Sequence, residues 1–504
     1  MESIPSLIEA FNQHYEIASN YSYMQSVASF DSQTVAPKNK DAVNTRSKAF
    51  GFFALKSFEH NMSPEYRQLV KDLEANVDQL DPVMQRRLAL VRKELDVLEK
   101  IDPQEYQAYA MLLSKAQVAW EEAKVANDFS LYAPFLEEIL GYVRKFAGYR
   151  QTTEGPLYNV LLDEYEEGST MEMLDNFFLT LRERIVPLLK KIQASNVSIN
   201  DSFLYKHYPR NEQIDFANYL LPIFGYELGY GALAESAHPF TSSMSPYDVR
   251  VTTHVYEENM TYSVYSTAHE AGHGIYEQNI GEALKNTQLG GGAAMSIHES
   301  QSRFYENIVG RSLPFIQTIY PEMQSRFPKQ LGNVSAEEYY RAINQAKPSF
   351  IRTESDELTY SLHIMIRYEL EKQLISGSLA VNDLPKAWNA LYEEYLGITP
   401  PTDTLGCLQD VHWSGGAFGY FPSYALGNAI SMQLVNTMNQ SIDVQAVIGS
   451  GDLSPLKEWF SKHIYVHGKL YPPFTLLKQV TGEELNPEYY CDYLEAKFGE
   501  IYHV

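Results

Sequence analysis

The stretch Ser266–Tyr276 reads STAHEAGHGIY. His269 and His273 stand four residues apart, so on a helix both imidazoles leave the same face about one turn apart and can close on one metal ion. The neighbouring residues Tyr262, Val264, Tyr265, Ala268, Ile275 and Tyr276 mix apolar and small types that suit a buried helix. Glu270 follows the first histidine and is rotated from it by about 100°. This keeps it out of the ligand set but beside a metal-activated water, where a general base belongs. Gly272 costs a helix about 1 kcal/mol relative to alanine, and such a locally unfavourable residue points to close approach by another element.

Two histidines do not complete a site, because a zinc hydrolase usually takes three protein ligands and keeps a position for water. Glu299, in SIHESQSRFYENIVG, lies 26 residues past His273, beyond the glycine run 290–292. Ile297, Phe304, Ile308 and Val309 are spaced for a second helix that could lie against the first and deliver Glu299. His298 competes as ligand and ranks second, since on that helix it would point elsewhere.

Most of the chain carries helical spacing. Leu7, Ile8, Phe11 and Tyr15 mark a helix from Ser6 to about Phe30. Asp81-Pro82 and Asp102-Pro103 each place a capping residue before a first-turn proline, starting helices over roughly 82–101 and 103–126. Further patterns cover about 130–149, 171–195 and 210–224. The convincing strand is DVRVTTHVY at Asp248–Tyr256, where Val249, Val251, Thr253 and Val255 alternate with polar residues. It reads as an edge strand able to pair with an extended peptide and as part of a small sheet under the helices, two compatible readings.

No Gly/Ser- or Pro-rich linker divides the 504 residues, so one large unit is expected, and no apolar run approaches the length of a membrane span. The start, MESIPSLIEAFNQ, lacks the basic region and apolar core of a signal peptide. With two cysteines, Cys407 and Cys491, no disulfide framework is implied, and the cytoplasm is the simplest location. A net charge of −24 disfavours nucleic acid and anionic membranes as partners.

Two further segments carry chemistry. In IRTESDELTY, Arg352 presents a planar fork that matches a carboxylate, and an enzyme reading a free C-terminus needs such a group. From local sequence alone, a salt bridge to Glu354, Asp356 or Glu357 is the stronger reading. GCLQDVHWSGGAFGYFPSY, Gly406–Tyr424, mixes glycines, aromatics and polar groups unlike an ordinary core helix. Close packing of a glycine-rich loop would explain it, yet His412 and Tyr420 are donors of the kind that stabilise an oxyanion, with Tyr424 in reserve.

The chain resembles the carboxypeptidase Taq family of zinc metallocarboxypeptidases. The resemblance rests on motifs in order: His238-Pro239-Phe240, Asp248-Val249-Arg250-Val251-Thr252, HEAGH at 269–273, His298-Glu299-Ser300-Gln301, IRTESD at 351–356 and GCLQDVHW at 406–413. Phe30-Asp31-Ser32-Gln33-Thr34, with Pro37, looks like an early family element that usually begins with tryptophan, and Ser355 stands where alanine is usual. The region of His412 and the following GY dipeptide also looks like that of neurolysin-like zinc peptidases, where a histidine and a tyrosine stabilise the oxyanion.

The resemblance implies a mainly α, large helical two-lobed metallopeptidase fold with a deep active-site groove. A small β-sheet lies beside the HEAGH helix, and N-terminal helices to about residue 200 form one wall. It implies a single catalytic domain over 1–504, with the metal and substrate motifs between about 238 and 424. One zinc per chain is held by His269, His273 and Glu299, with cobalt or another divalent metal able to substitute. Glu270, Tyr420 and His412 carry catalysis; Arg352 reverses its local reading to bind the terminal carboxylate, assisted by Arg250, with His238 and Tyr424 near the substrate. The expected activity is release of single C-terminal amino acids from peptides with a free C-terminus, by a cytoplasmic homodimer. An endo-oligopeptidase with the same metal apparatus is the alternative. A helical binding protein with a structural metal is more distant, because structural zinc sites are usually closed and cysteine-rich.

Overall fold

The computed structural model describes residues 3–504. Nine helices form the first part of the chain: α1 Ile4–Gln33, α2 Lys40–Asn61, α3 Pro64–Glu74, α4 Pro82–Glu99, α5 Pro103–Ala126, α6 Ala133–Arg150, α7 Tyr158–Tyr165, α8 Met171–Ala194 and α9 Arg210–Phe224. The expected caps start their helices: the Asp81 carboxylate accepts from the Met84 N–H at 2.9 Å, and Asp102 accepts from Gln104 and Glu105. α6 begins three residues later than its pattern because Phe129–Leu131 form a separate 3-10 turn.

All of these helices except α2 feed two hydrophobic cores. A small one is built by Leu7 and Phe11 of α1, Val70 and Leu73 of α3, and Leu88 and Leu95 of α4. The large one begins with α5 and runs to the C-terminus. Polar links join the two: Arg86 of α4 forks onto Glu167, Arg87 donates to Gln288, and Lys93 pairs with Asp163.

A three-stranded sheet follows, of β1 Leu233–Glu235, β2 Thr241–Ser245 and β3 Asp248–Thr253. The expected strand is shorter than its pattern, and the edge reading is wrong. β3 is the central strand, parallel to β1 and antiparallel to β2. Its alternation reflects burial of Val249 and Val251 beneath the helices.

The remaining helices are α10 Met260–Gln278, α11 Met295–Arg303, α12 Leu313–Arg326, α13 Pro328–Leu331, α14 Ala336–Ile343, α15 Glu357–Ser376, α16 Leu384–Leu396, α17 Pro422–Met438, α18 Val444–Ser450, α19 Ser454–His463, α20 Pro473–Thr481 and α21 Glu488–Tyr502. α11 continues into a wider π-helical turn at Phe304–Gly310. The packing of α10, α11 and α17 is set by two glycines. A Cβ on Gly272 of α10 would stand 2.6 Å from the Gln301 carbonyl and the Ser302 Cα, so the unfavourable residue in the motif is where α11 approaches. On the other side of α11, a Cβ on Gly427 of α17 would stand 2.5 Å from the Glu299 Cγ. α11 is thereby held between two helices that both touch it at backbone distance.

Candidate metal centre

The Nε2 atoms of His269 and His273 each lie 3.6 Å from Glu299 Oε2. Tetrahedral zinc with ligands at about 2.0–2.2 Å spaces its donors by about 3.3–3.6 Å. The three atoms therefore fit one divalent ion, and two imidazoles with one carboxylate form a donor set that suits zinc at a catalytic site. Glu299 comes from the second helix, as its spacing indicated. Among the described residues this is the one such His/Cys/Asp/Glu group.

Each imidazole is oriented by a carboxylate. Glu306 Oε2, on the π-helical turn, accepts from His269 Nδ1–H at 2.9 Å, which leaves the Nε2 lone pair facing the site. Burial opposes charge on Glu306, but Arg303, His269 and Arg311 outweigh it and hold the carboxyl well below its ordinary range. His273 is set by a longer relay. Glu277 Oε1 lies 2.7 Å from His298 Nε2, so that nitrogen carries the proton and His298 Nδ1 accepts from His273 Nδ1–H at 3.0 Å. Burial, with His269 and His298 nearby, keeps His273 well below its usual value and hence neutral. His298 does not point away, as the sequence suggested; it buttresses His273 and leaves the ligand position to Glu299. Glu299 itself is held by Arg303, whose Nε donates to Oε1 at 2.7 Å.

Glu270 is buried next to the histidines, and its Oε2 accepts from Thr241 Oγ1 of β2 at 2.7 Å. Burial pushes its carboxyl above the ordinary range, partly countered by His269 and by that hydroxyl.

Tyr420 and Tyr424 pack edge-on at 5.2 Å, close enough to the centre for Tyr420 to feel the Glu299 charge. The His412 ring lies 5.6 Å from Tyr420, and burial brings His412 down to about 4 against the pull of Asp410, so it is a neutral imidazole.

Arg352 is buried, but none of the three local acids is its partner. Its Nε and Nη2 both donate to Asp410 Oδ1, at 3.1 and 2.8 Å, while Arg367 binds the other oxygen. Asp356 is occupied in capping α15, and Glu357 pairs with Lys497, so neither is free for it. The third edge of the Arg352 guanidinium faces the Tyr360 hydroxyl at 3.4 Å, and the group lies 5.2 Å from the Tyr424 ring.

Arg250 sits away from the ligands. It forks onto Asp248, which also accepts from Tyr23 of α1, and it lies over Phe30 of α1. Phe30 packs edge-on against Phe240. Three of the separated motifs thus meet to seat α1 on the sheet. His238 is exposed, and its carbonyl accepts from Ser236.

Glu306, Glu277, Arg303 and Thr241 escaped the sequence reading. Arg303 follows Glu299 by four residues, a spacing that pairs charges on a helix and would have revealed it. Thr241 gave no signal, because only the sheet brings it to Glu270.

The profile of the carboxypeptidase Taq (M32) metallopeptidase family matches residues 10–498. Carboxypeptidase 1 of Bacillus subtilis (strain 168) is 43% identical over 485 residues, 96% of each chain. Among solved structures, the M32 carboxypeptidase from Deinococcus radiodurans R1 superposes with a TM-score of 0.95 at 33% identity, covering 99% of this chain and 100% of that one. Metallocarboxypeptidase 1 of Trypanosoma cruzi gives 0.92 at 31%, covering 98% and 99%. With a trio able to hold a metal ion, an adjacent carboxylate and a family match over residues 10–498, this protein belongs to the carboxypeptidase Taq family and is a metallocarboxypeptidase.

Proposed function

We propose that the protein removes single amino acids from the C-terminus of peptides, with zinc as its ion and the residues around His269 in the following roles. His269, His273 and Glu299 would hold a divalent ion, which when bound would supply Lewis acidity toward the scissile carbonyl and a water. Glu270 takes a proton from the attacking water and passes it to the leaving amine. Tyr420 donates a hydrogen bond to the oxyanion, with neutral His412 as a second donor and Tyr424 packed behind. Arg352 receives the terminal carboxylate on the guanidinium edge not spent on Asp410. Arg250 keeps α1 seated against the sheet, and His238 meets the substrate from the exposed rim.

The observation that carries this reading is the convergence of the two Nε2 atoms and Glu299 Oε2, with Glu270 beside them. Further relatives named as carboxypeptidases, such as thermostable carboxypeptidase 1 of Pyrococcus furiosus at 34% identity, favour exopeptidase over endopeptidase action. Location in the cytoplasm and a homodimeric state belong to the same proposal. Among the described residues no helix is long and apolar enough to cross a membrane.

The test is mass spectrometry of a mixed peptide set after incubation with the metal-loaded protein. Products shortened by one residue at a time, abolished by chelator and by C-terminal amidation, are expected. Internal cleavage of amidated peptides would establish the endo-oligopeptidase instead. Glu270→Gln should keep its metal and lose turnover by at least about a thousandfold; retained turnover would remove Glu270 as the base.

A further inference from the structure

One face of α15 carries three buried polar side chains, His363, Arg367 and Glu371, spaced four residues apart and each without measurable exposure. Arg367 and Glu371 are turned to the loop between α16 and α17, and His363 to α16 beside it. His363 faces Tyr392, whose hydroxyl also accepts from Gln409 of the loop; Arg367 holds Asp410; and Glu371 holds the stretch just before Tyr420.

Glu371 makes three contacts. Its Oε1 accepts from the Trp413 indole N–H at 2.7 Å, and its Oε2 accepts from the Gly419 N–H at 2.8 Å and from the Tyr158 hydroxyl at 2.5 Å. Trp413 and Gly419 belong to the loop, whereas Tyr158 opens α7. The same helix ends in Tyr165, whose ring packs edge-on against Tyr420 at 5.0 Å. One carboxylate therefore grips both walls of the Tyr420 seat. Gly419 has φ +88°, and a Cβ there would meet the Leu161 backbone of α7 at 2.7 Å, so the loop lies directly on that helix. A buried carboxylate with no lysine or arginine bonded to it is costly. Burial pushes Glu371 up to about 7, and the three donors with Arg367 only partly offset this. Maintaining such a group makes sense where an acceptor of several N–H and O–H donors is needed at one point.

We propose that Glu371 is a positioning residue for the peptidase reaction, fixing the Tyr420 hydroxyl over the metal centre by clamping Gly419 and Trp413 to Tyr158. This rests on the reading of Tyr420 as the oxyanion donor. An amide at 371 would turn an N–H₂ toward one of the three donors, so one clamp contact breaks while side-chain volume is kept.

The test is a double-mutant cycle on the full-length, metal-loaded enzyme with a short peptide substrate. Glu371→Gln should lower kcat by about 30-fold, with KM within about threefold and metal content unchanged, while Tyr420→Phe alone should lower kcat by about 100-fold. The double variant should fall no further than Tyr420→Phe, because the two changes remove the same interaction. Multiplied losses, or wild-type kcat in Glu371→Gln, would show that Glu371 does not act through Tyr420. Wild-type kcat in Tyr420→Phe would instead remove the oxyanion role, and this proposal with it. Should Glu371→Gln fail to fold, Trp413→Phe takes its place in the cycle: it removes one donor to Glu371 and keeps the aromatic ring, with the same non-multiplying outcome expected.

Discussion

Each imidazole at the centre is oriented by an acid that the HEAGH motif does not contain. Glu306 acts directly on His269, and Glu277 acts on His273 through His298. A metal-bound histidine needs its remote ring nitrogen protonated and its ring angle held, and loss of such a partner typically weakens metal binding by about 10–100-fold. Glu306→Gln is therefore expected to raise the metal dissociation constant by about that factor while leaving the helices intact. Competition against a calibrated chelator measures it, and an unchanged constant would mean that the Glu306 contact does not tune the ligand. Glu306 also anchors Arg303 and Arg311, so a modest loss of thermal stability should accompany the change.

Three helices meet at the centre with almost no space between their backbones. The sequence flagged Gly272 as anomalous, and α11 is its cause; Gly427 on α17 carried no comparable signal because it sits in an unremarkable helix. Gly427→Ala drives a methyl into Glu299, the proposed metal ligand, so it should lower both metal content and stability, the latter by about 1–3 kcal/mol. Metal analysis after dialysis, together with melting in excess chelator, separates the two effects. Full metal content at wild-type affinity would show that α17 can back away. The N-terminus of α10 offers a milder lever. The Asn259 side chain accepts from the Thr261 N–H, and Asn259→Ala should cost about 1 kcal/mol without affecting the metal ligands.

At the scale of the whole chain, helices differ in how deeply they are packed. α2 contributes no buried residue, while α10, α11 and α17 are buried nearly throughout. Hydrogen exchange should therefore release the amides of α2 orders of magnitude before those of α10. Uniform protection across both would show that α1–α4 open only with the rest of the molecule. The large core also encloses two carboxyls, Glu166 and Glu371, that burial raises to about 7. Because the folded values lie above the unfolded ones, the stability these groups contribute is complete below about pH 4.5 and is lost as pH rises through about 7. The stability advantage of wild type over Glu371→Gln should thus shrink by up to about 3 kcal/mol between pH 4.5 and pH 8. Paired denaturation curves at those two pH values check this, and a constant difference would place the Glu371 proton elsewhere.

Local chemistry was enough to specify the helices with their caps and to pick out the two histidines and Glu299 that the structure brings together as a candidate metal site. Asp81, Asp102, the histidine spacing and the pattern around Glu299 act over one or two turns, and that is the range over which a linear pattern can be read. Contacts between distant segments were hidden. Asp410 taking Arg352 from its neighbouring acids, β3 lying inside the sheet, His298 turning back to His273 and Glu371 gripping the Tyr420 loop all join residues far apart in the chain. The packing of α10, α11, α15 and α17 settles those contacts, because a buried charge or donor takes whichever partner the fold leaves within hydrogen-bonding reach.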